Sequence, residues 1–252
     1  MAVPCYWPKC QIDQTAKNFC NHILSSDALF ALVMDRLASN KGCSIIRMAD
    51  GEKACIDAVK GLLPIRKFLS DPQWLKEFGM LDTDIKKVGE SLLWAAKNTT
   101  YLAIAIAGIY RDTYNLHQYF LGTRDQFIDQ FYARHWLKTR KLVPLFGAAP
   151  AIIVHRYGKE VAAECEKLYN TGPIEYVNVN SWKDHKNAEN IVAESNAHIV
   201  LVAAGPSGKA MCVRMAQRRE NQVVLDVGHG LLSFIRKEKT WDPTSEKEQN
   251  NA

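Results

Sequence analysis

The chain has 252 residues, 47% hydrophobic and 23% charged, with a formal net charge of +5, an ordinary globular composition with room for one large α/β domain or two small ones. No apolar run reaches the roughly 18–20 residues that crossing a bilayer takes, and Met1 to Cys10 lacks the charged start and apolar centre of a secretory signal, so the expected location is cytoplasmic. The small basic excess is compatible with a phosphorylated substrate or a nucleic acid and demands neither.

Taken in order, Leu24 to Leu37 carries apolar residues at helical spacing, with Ser25, Ser26 and Asp27 available as caps. Ser44 to Met48 is an apolar run that reads as a strand, and a helix is expected after Glu52, closed by Gly61 and Pro64. Asp71-Pro72 marks a helix start, and Asp84 to Lys97 is a clearer helix with Ile85, Val88, Leu92, Leu93 and Ala96 on one side. Tyr101 to Gly108 is nearly all apolar, as expected of a strand covered on both faces. Residues 110–141 interleave Tyr, Phe and Trp with cations, and Arg124 to Lys141 holds five basic and two acidic residues. That pattern suits an ordinary helix with an aromatic core face, while leaving open an acceptor-binding surface. Leu142 to Phe146 reads as a short strand, Val161, Cys165 and Leu168 as a helix, and Ile174 to Val179 as a strand. Helices are expected at Asn187–Ser195 and from Gly208 to about Arg219, with strands at His198–Ala204 and Gln222–Asp226.

This alternation predicts an α/β fold: a single Rossmann-like domain over residues 1–236, its mostly parallel sheet covered by helices. Residues 237–252 are charged and amide-rich, and disorder is expected there. The seven cysteines lack any pair at two-residue separation, and the spacing of Cys5, Cys10, Cys20 and His22 is irregular. Reduced, partly buried thiols are expected in preference to a metal site.

Three stretches carry chemistry. At Arg47-Met48-Ala49-Asp50-Gly51-Glu52, an extended chain running into an Asp-Gly turn would project Asp50 and Glu52 to one side. Two hard oxygen ligands this close suit Mg²⁺ or Mn²⁺ held partly by a substrate's phosphates. The same residues also read as a surface turn, or as acids in the first turn of a helix. Gly205-Pro206-Ser207-Gly208-Lys209 follows a strand but lacks the strict phosphate-loop pattern, because Ala203 and Ala210 stand where glycine and Ser or Thr are needed. What remains is a helix N-terminus presenting N–H groups to an anion, with Ser207 as cap and Lys209 adding charge; a tight helix-packing turn is the competing reading. Asp226 and His229 close the last strand. In a parallel sheet the carboxyl ends of strands share one edge, which places Asp50, Gly205 and Asp226 on one rim.

Arg47 to Glu52 resembles the Arg-Phe-Gly-Asp-Gly-Glu signature of the GT-D glycosyltransferases. Leu201 to Lys209 and Leu225 to His229 resemble that family's Gly-Pro-Thr and Asp-Ile-Gly-His segments, in the same order and over roughly residues 40–232. Met48-Ala49 replaces Phe-Gly, and Gly230-Leu231-Leu232 replaces the acidic residues that usually follow the histidine. The resemblance implies a nucleotide-sugar donor, a UDP-sugar foremost, with a manganese or magnesium ion held through Asp50 and Glu52. It implies Arg47 on the diphosphate, and Gly205, Pro206, Ser207 and Lys209 along the nucleotide pocket. Asp50 is then catalytic, with Asp226 or His229 as the acceptor's base. The acceptor hydroxyl would belong to a glycan, a glycoprotein or a modified DNA base. Competing expectations are a nucleotide-dependent phosphotransferase or hydrolase, and a non-catalytic nucleic-acid-binding protein on the same fold.

Overall fold

A computed structural model describes residues 23–62, 67–104, 119–120 and 127–236. The first half runs β1 (Ile23–Leu24), α1 (Ser26–Ala38), β2 (Cys43–Met48), α2 (Asp50–Val59), α3 (Pro72–Glu77), α4 (Ile85–Asn98), β3 (Tyr101–Ile104) and β4 (Phe127–Asp129). The second runs α5 (Tyr132–Lys138), α6 (Leu142–Ala148), β5 (Ala151–His155), α7 (Gly158–Tyr169), β6 (Glu175–Asn178), α8 (His185–Glu194), β7 (Ile199–Ala203), α9 (Gly208–Arg218), β8 (Val223–Asp226) and α10 (Leu232–Arg236). These strands form one parallel sheet in the order β1-β4-β3-β2-β8-β7-β5-β6. The architecture is the Rossmann-like α/β fold that the alternation of elements predicted.

Strand β2 shows why its sequence lacks polar alternation. Ile46 and Met48 pack into one core, while Cys43 and Ile45 pack into the other. A strand covered on both faces carries apolar residues toward each of them. Helices α2, α4, α8 and α9 supply the first core, and α1, α5, α6, α7 and α10 the second. Helix α4 is typical of the layer. Asp84 caps it by accepting from the N–H groups of Lys86 and Lys87, and Val88, Leu92, Ala95 and Ala96 form its buried stripe. Complete burial of a side chain such as Leu92 contributes about 2 kcal/mol. Ser25 and Asp71 cap α1 and α3 in the same way.

Two expectations fail next to each other. Leu142 to Phe146 lies in helix α6, whose Pro144 occupies the first turn, where a missing N–H costs nothing. The strand is instead Ala151–His155, an apolar, β-branched run that the pattern reading passed over. The aromatic stretch is not one helix either: it contains β4 and then α5, whose Tyr132 and Trp136 are completely buried. The cysteine expectation agrees with Cys43, Cys55, Cys165 and Cys212, which are free and buried. Burial pushes the thiols of Cys43, Cys55 and Cys165 up to about 12. Cys5, Cys10, Cys20, His22, Ala105–Gly108 and the tail 237–252 lie outside the described residues. Among the described residues no helix is long and apolar enough to cross a membrane.

The position of the site follows from connectivity. Strands β2 and β8 are neighbours. Beyond β2 the chain enters α2 on one face of the sheet, whereas beyond β8 it turns through 228–231 into α10 on the other. Adjacent strands whose continuations part to opposite faces leave a crevice at their carboxyl ends.

Candidate functional site

At that crevice a short buried chain of charges joins three elements. Asp226, at the end of β8, is 1% exposed. Its Oδ2 accepts the main-chain N–H of Arg47 at 2.9 Å and lies 2.7 Å from Lys209 Nζ; its Oδ1 accepts the N–H of Gly228 at 3.2 Å. The Asp226 side chain thus continues the link between β2 and β8 beyond their last main-chain pairing, Ile45 with Leu225. Lys209, in the first turn of α9, also lies 3.3 Å from Glu52 Oε1. Burial alone would lower the Lys209 pKa, but the carboxylates of Asp226 and Glu52 outweigh it and hold the ammonium above the ordinary lysine range. The second Glu52 oxygen accepts the N–H of Ala49 at 2.9 Å, capping α2. From the opposite core, the Tyr132 hydroxyl donates to the Asp226 carbonyl at 2.8 Å.

Above this floor lies a cleft of about 460 Å³ whose walls include Arg47, Asp50, Trp74, Arg134, Gly205 and Pro206. Arg47 Nη1 donates to the Gln130 carbonyl at 3.2 Å, which draws the guanidinium across the turn after β8. Gly228 has φ +51°, and a Cβ there would run into that guanidinium. Gly205, at φ +65°, leaves room for the Phe78 carbonyl in the same way. Trp74 and Phe78 stack with ring centroids 4.3 Å apart and form an aromatic wall beside Gly51 and Pro206.

The expected site residues divide. Arg47, Gly205, Pro206 and Lys209 all line the cleft, and so does Asp50. Ser207 does not cap α9. Its backbone is helical (φ −64°, ψ −23°), which aims the side chain away from the N–H groups that an extended cap residue reaches, and Oγ is buried without a hydrogen-bond partner. The extended geometry expected for Asp50 and Glu52 is also corrected, because α2 begins at Asp50. Two positions along a helix turn the side chain by about 200°, so Asp50 is exposed to the cleft while Glu52 is buried beneath it. His229 lies on the turn 228–231, and its side chain is outside the described residues.

A divalent ion held by both carboxylates does not suit this arrangement, since each Glu52 oxygen already has a partner. Among the described residues no group of three or more His, Cys, Asp or Glu is placed to hold a metal. Asp50 alone suits the other common arrangement, in which a hard cation takes one protein carboxylate and completes its shell with substrate phosphates and water.

The sequence reading missed several cleft residues. Trp74 and Phe78 lay in a stretch without clear periodicity. Phe131 and Arg134 belong to the basic aromatic stretch, which did carry a signal. His155, Arg156 and Tyr157 follow the strand that was passed over. The His155 Nδ1 accepts the N–H of Tyr157 at 2.9 Å, which assigns the proton of the neutral ring to Nε2.

Comparison with known proteins agrees with this fold. A solved structure described as the highly conserved domain of unknown function 1792, with a distinct glycosyltransferase fold, is similar to this chain at a TM-score of 0.56 and 14% identity. The match covers 85% of this chain and 81% of that one, and it speaks for the fold. No curated protein matches. The family model described as a GT-D fold-like domain matches residues 24–234, and the chain belongs to that GT-D-like family.

Proposed function

We propose that the protein is a glycosyltransferase that uses a nucleotide-sugar donor, with the diphosphate lying over the amino end of α9. The observation that carries this reading is the turn Gly205-Pro206-Ser207. It opens an eleven-residue helix into a cleft at the β2/β8 crevice, with Arg47 on the facing strand. The first two N–H groups of α9, on Gly208 and Lys209, donate to the Gly205 and Pro206 carbonyls at 3.2 and 3.3 Å, so the turn offers an anion the positive end of the helix dipole, and the Arg47 guanidinium adds a full charge beside it. The aromatic wall of Trp74 and Phe78 gives the nucleoside a flat apolar surface.

A magnesium or manganese ion bound at Asp50 would neutralise charge on the diphosphate as it leaves. Glu52 supports that site from below by capping α2 and compensating Lys209. Asp226 acts as a positioning residue that fixes Arg47 and Lys209. The turn after β8 is the candidate source of the acceptor's base, through His229. A uridine diphosphate sugar is the first donor to try.

The test is release of nucleoside diphosphate from a panel of nucleotide sugars and nucleoside triphosphates, with manganese or magnesium and with excess chelator. Release from one or more sugar nucleotides, dependent on metal, is expected. Asp50→Asn should lose at least about a hundredfold in turnover while melting as the wild type does, because Asp50 is exposed. Hydrolysis of triphosphates alone, or an active Asp50→Asn protein, would overturn the reading.

A further inference from the structure

A second cavity, of about 480 Å³, lies along the same sheet edge beyond the donor cleft. Three segments enclose it: 76–82 at the end of α3, Arg156 and Tyr157 after β5, and 180–183 after β6. It is built of cross-linked loops. Trp182 donates its main-chain N–H to the Gly79 carbonyl at 3.4 Å, and the Arg156 guanidinium donates to the Lys76 carbonyl. The Asp184 carboxylate accepts the N–H groups of Asn180 and Ser181 at 2.8 and 2.9 Å. So tied, the segment holds Trp182 on a 3₁₀ turn with 44% of its surface exposed, across from Leu81 at 50%. Arg156 and Tyr157 also line the donor cleft, so the two cavities share a wall.

We propose that this trough is the acceptor subsite and that its ligand is an oligosaccharide; the assignment of an acceptor role rests on the transferase reading above. A sugar ring has a face of C–H groups and a rim of hydroxyls. An exposed indole flanked by Asn180, Ser181 and Tyr157 offers a partner to each. A nucleic acid asks for something else, a row of cations free to neutralise phosphates. Here Lys183 is paired with Asp82 at 3.3 Å and Arg156 is already bonded to a main-chain carbonyl, which leaves Lys76 as the one other cation of the lining, too few for a row. Cavities of this size take small ligands or a few units of a longer one. A glycan seated on Trp182 would extend past Tyr157 and present its terminal hydroxyl to the donor cleft.

The experiment uses the full chain without donor, on an array of immobilised oligosaccharides and, separately, on random-sequence duplex DNA. The wild type is expected to bind a subset of the glycans. Trp182→Ala should weaken that binding by about tenfold or more, and Trp182→Phe should restore most of it. Leu81→Asp, on the opposite loop, should weaken the same glycans if Trp182→Ala proves unstable. Binding of no glycan, unchanged binding in both the Trp182→Ala and Leu81→Asp proteins, or retention on DNA alone would overturn the proposal. Because no donor is present, this outcome is independent of the nucleotide-sugar panel. Glycan binding that depends on Trp182 together with no turnover of any donor would sink the transferase reading and leave the sugar site standing.

Discussion

The floor of the cleft and its rim hold charge in opposite ways. On the floor, Glu52, Lys209 and Asp226 are 6%, 4% and 1% exposed, and the ammonium sits within 3.3 Å of both carboxylates. At the rim, Asp50 is exposed, and Arg134 and Arg156 are only partly covered. Buried charges that pair with one another set geometry, whereas charges that also reach open solvent can meet ligands. One short motif supplies both kinds: Asp50 and Glu52 are two positions apart, and the start of α2 between the strand and the cleft sends one up and the other down.

Removing the central floor charge should have the largest effect. Lys209→Met leaves two carboxylates buried near each other with no cation between them, and loss of one member of a buried pair costs about 3–5 kcal/mol. Denaturant unfolding should show that loss whether or not a donor is present. Glu52→Gln keeps an acceptor for the Ala49 N–H and removes one of the two negative charges, so a smaller loss of about 1–2 kcal/mol is expected. If Lys209→Met were as stable as the wild type and defective only in donor binding, the floor would be a ligand site like the rim. The distinction drawn here would then be lost.

How much of this was legible in the sequence depended on what kind of signal each part carries. The strands β2, β7 and β8 were legible because burial on two faces leaves continuous apolar runs, and α4 because its stripe has helical spacing beside Asp84. Leu142 to Phe146 misled because five apolar residues look alike as helix or strand. The deciding facts were Pro144 in a first turn and the better β-branched run at 151–155. The order of motifs along the rim was legible, since strand ends in a parallel sheet converge. The separate fates of Asp50 and Glu52 were not, because they depend on where α2 starts, and a shift of one residue would turn both side chains by about 100°. Trp74, Phe78 and Trp182 had no local pattern at all. They reach the rim on the short helix α3 and on a 3₁₀ turn, whose courses are set by distant contacts, such as Trp182 with Gly79.

A second test concerns a buried carboxylate that, among the described residues, has no cation built against it. Asp129 ends β4, is 8% exposed, and accepts the N–H of Phe131 at 2.9 Å. Burial pushes its pKa up from 3.8 to about 6, a rise that the Phe131 hydrogen bond and the charges of His135 and Arg47 only partly offset. An acid whose folded pKa is raised stabilises the fold below its unfolded value, and that contribution is lost as pH rises through the folded one. Between pH 3.8 and 6, Asp129 should therefore cost about 3 kcal/mol. His185, buried at the start of α8, works the other way: burial, with Arg214 adding to it, lowers its pKa from 6.5 to about 4. Its unfolded form takes up a proton first as pH falls from 6.5, so acid withdraws a similar amount, about 3 kcal/mol. The two nearly cancel in the wild type. Urea midpoints measured from pH 4 to 7 should show Asp129→Asn gaining stability relative to the wild type as pH rises, and His185→Gln losing it. Parallel curves for all three proteins would mean that these buried groups are better compensated than the contacts of Asp129 and His185 indicate.

The smallest stability effect is expected where the comparison is most finely balanced, at Ser207. This residue is only 8% exposed, as floor residues are, yet its buried hydroxyl has no bond to protein and is left over for a ligand only if the side chain turns toward the cleft. A hydroxyl that makes no bond in the folded chain contributes little to its stability. Ser207→Ala should therefore unfold within about 0.5 kcal/mol of the wild type, or slightly later. A hydroxyl that donates to a phosphate oxygen is a different matter, because a hydrogen bond to a charged group is worth about 1.5–3 kcal/mol. Donor affinity in the variant should fall by about tenfold or more, measured by calorimetry with nucleoside diphosphate. Ser207→Thr keeps the donor and should bind nearly as well as the wild type. A loss of stability without a loss of affinity would move Ser207 to the structural side of the cleft, and the diphosphate would have to lie closer to Arg47 than to α9.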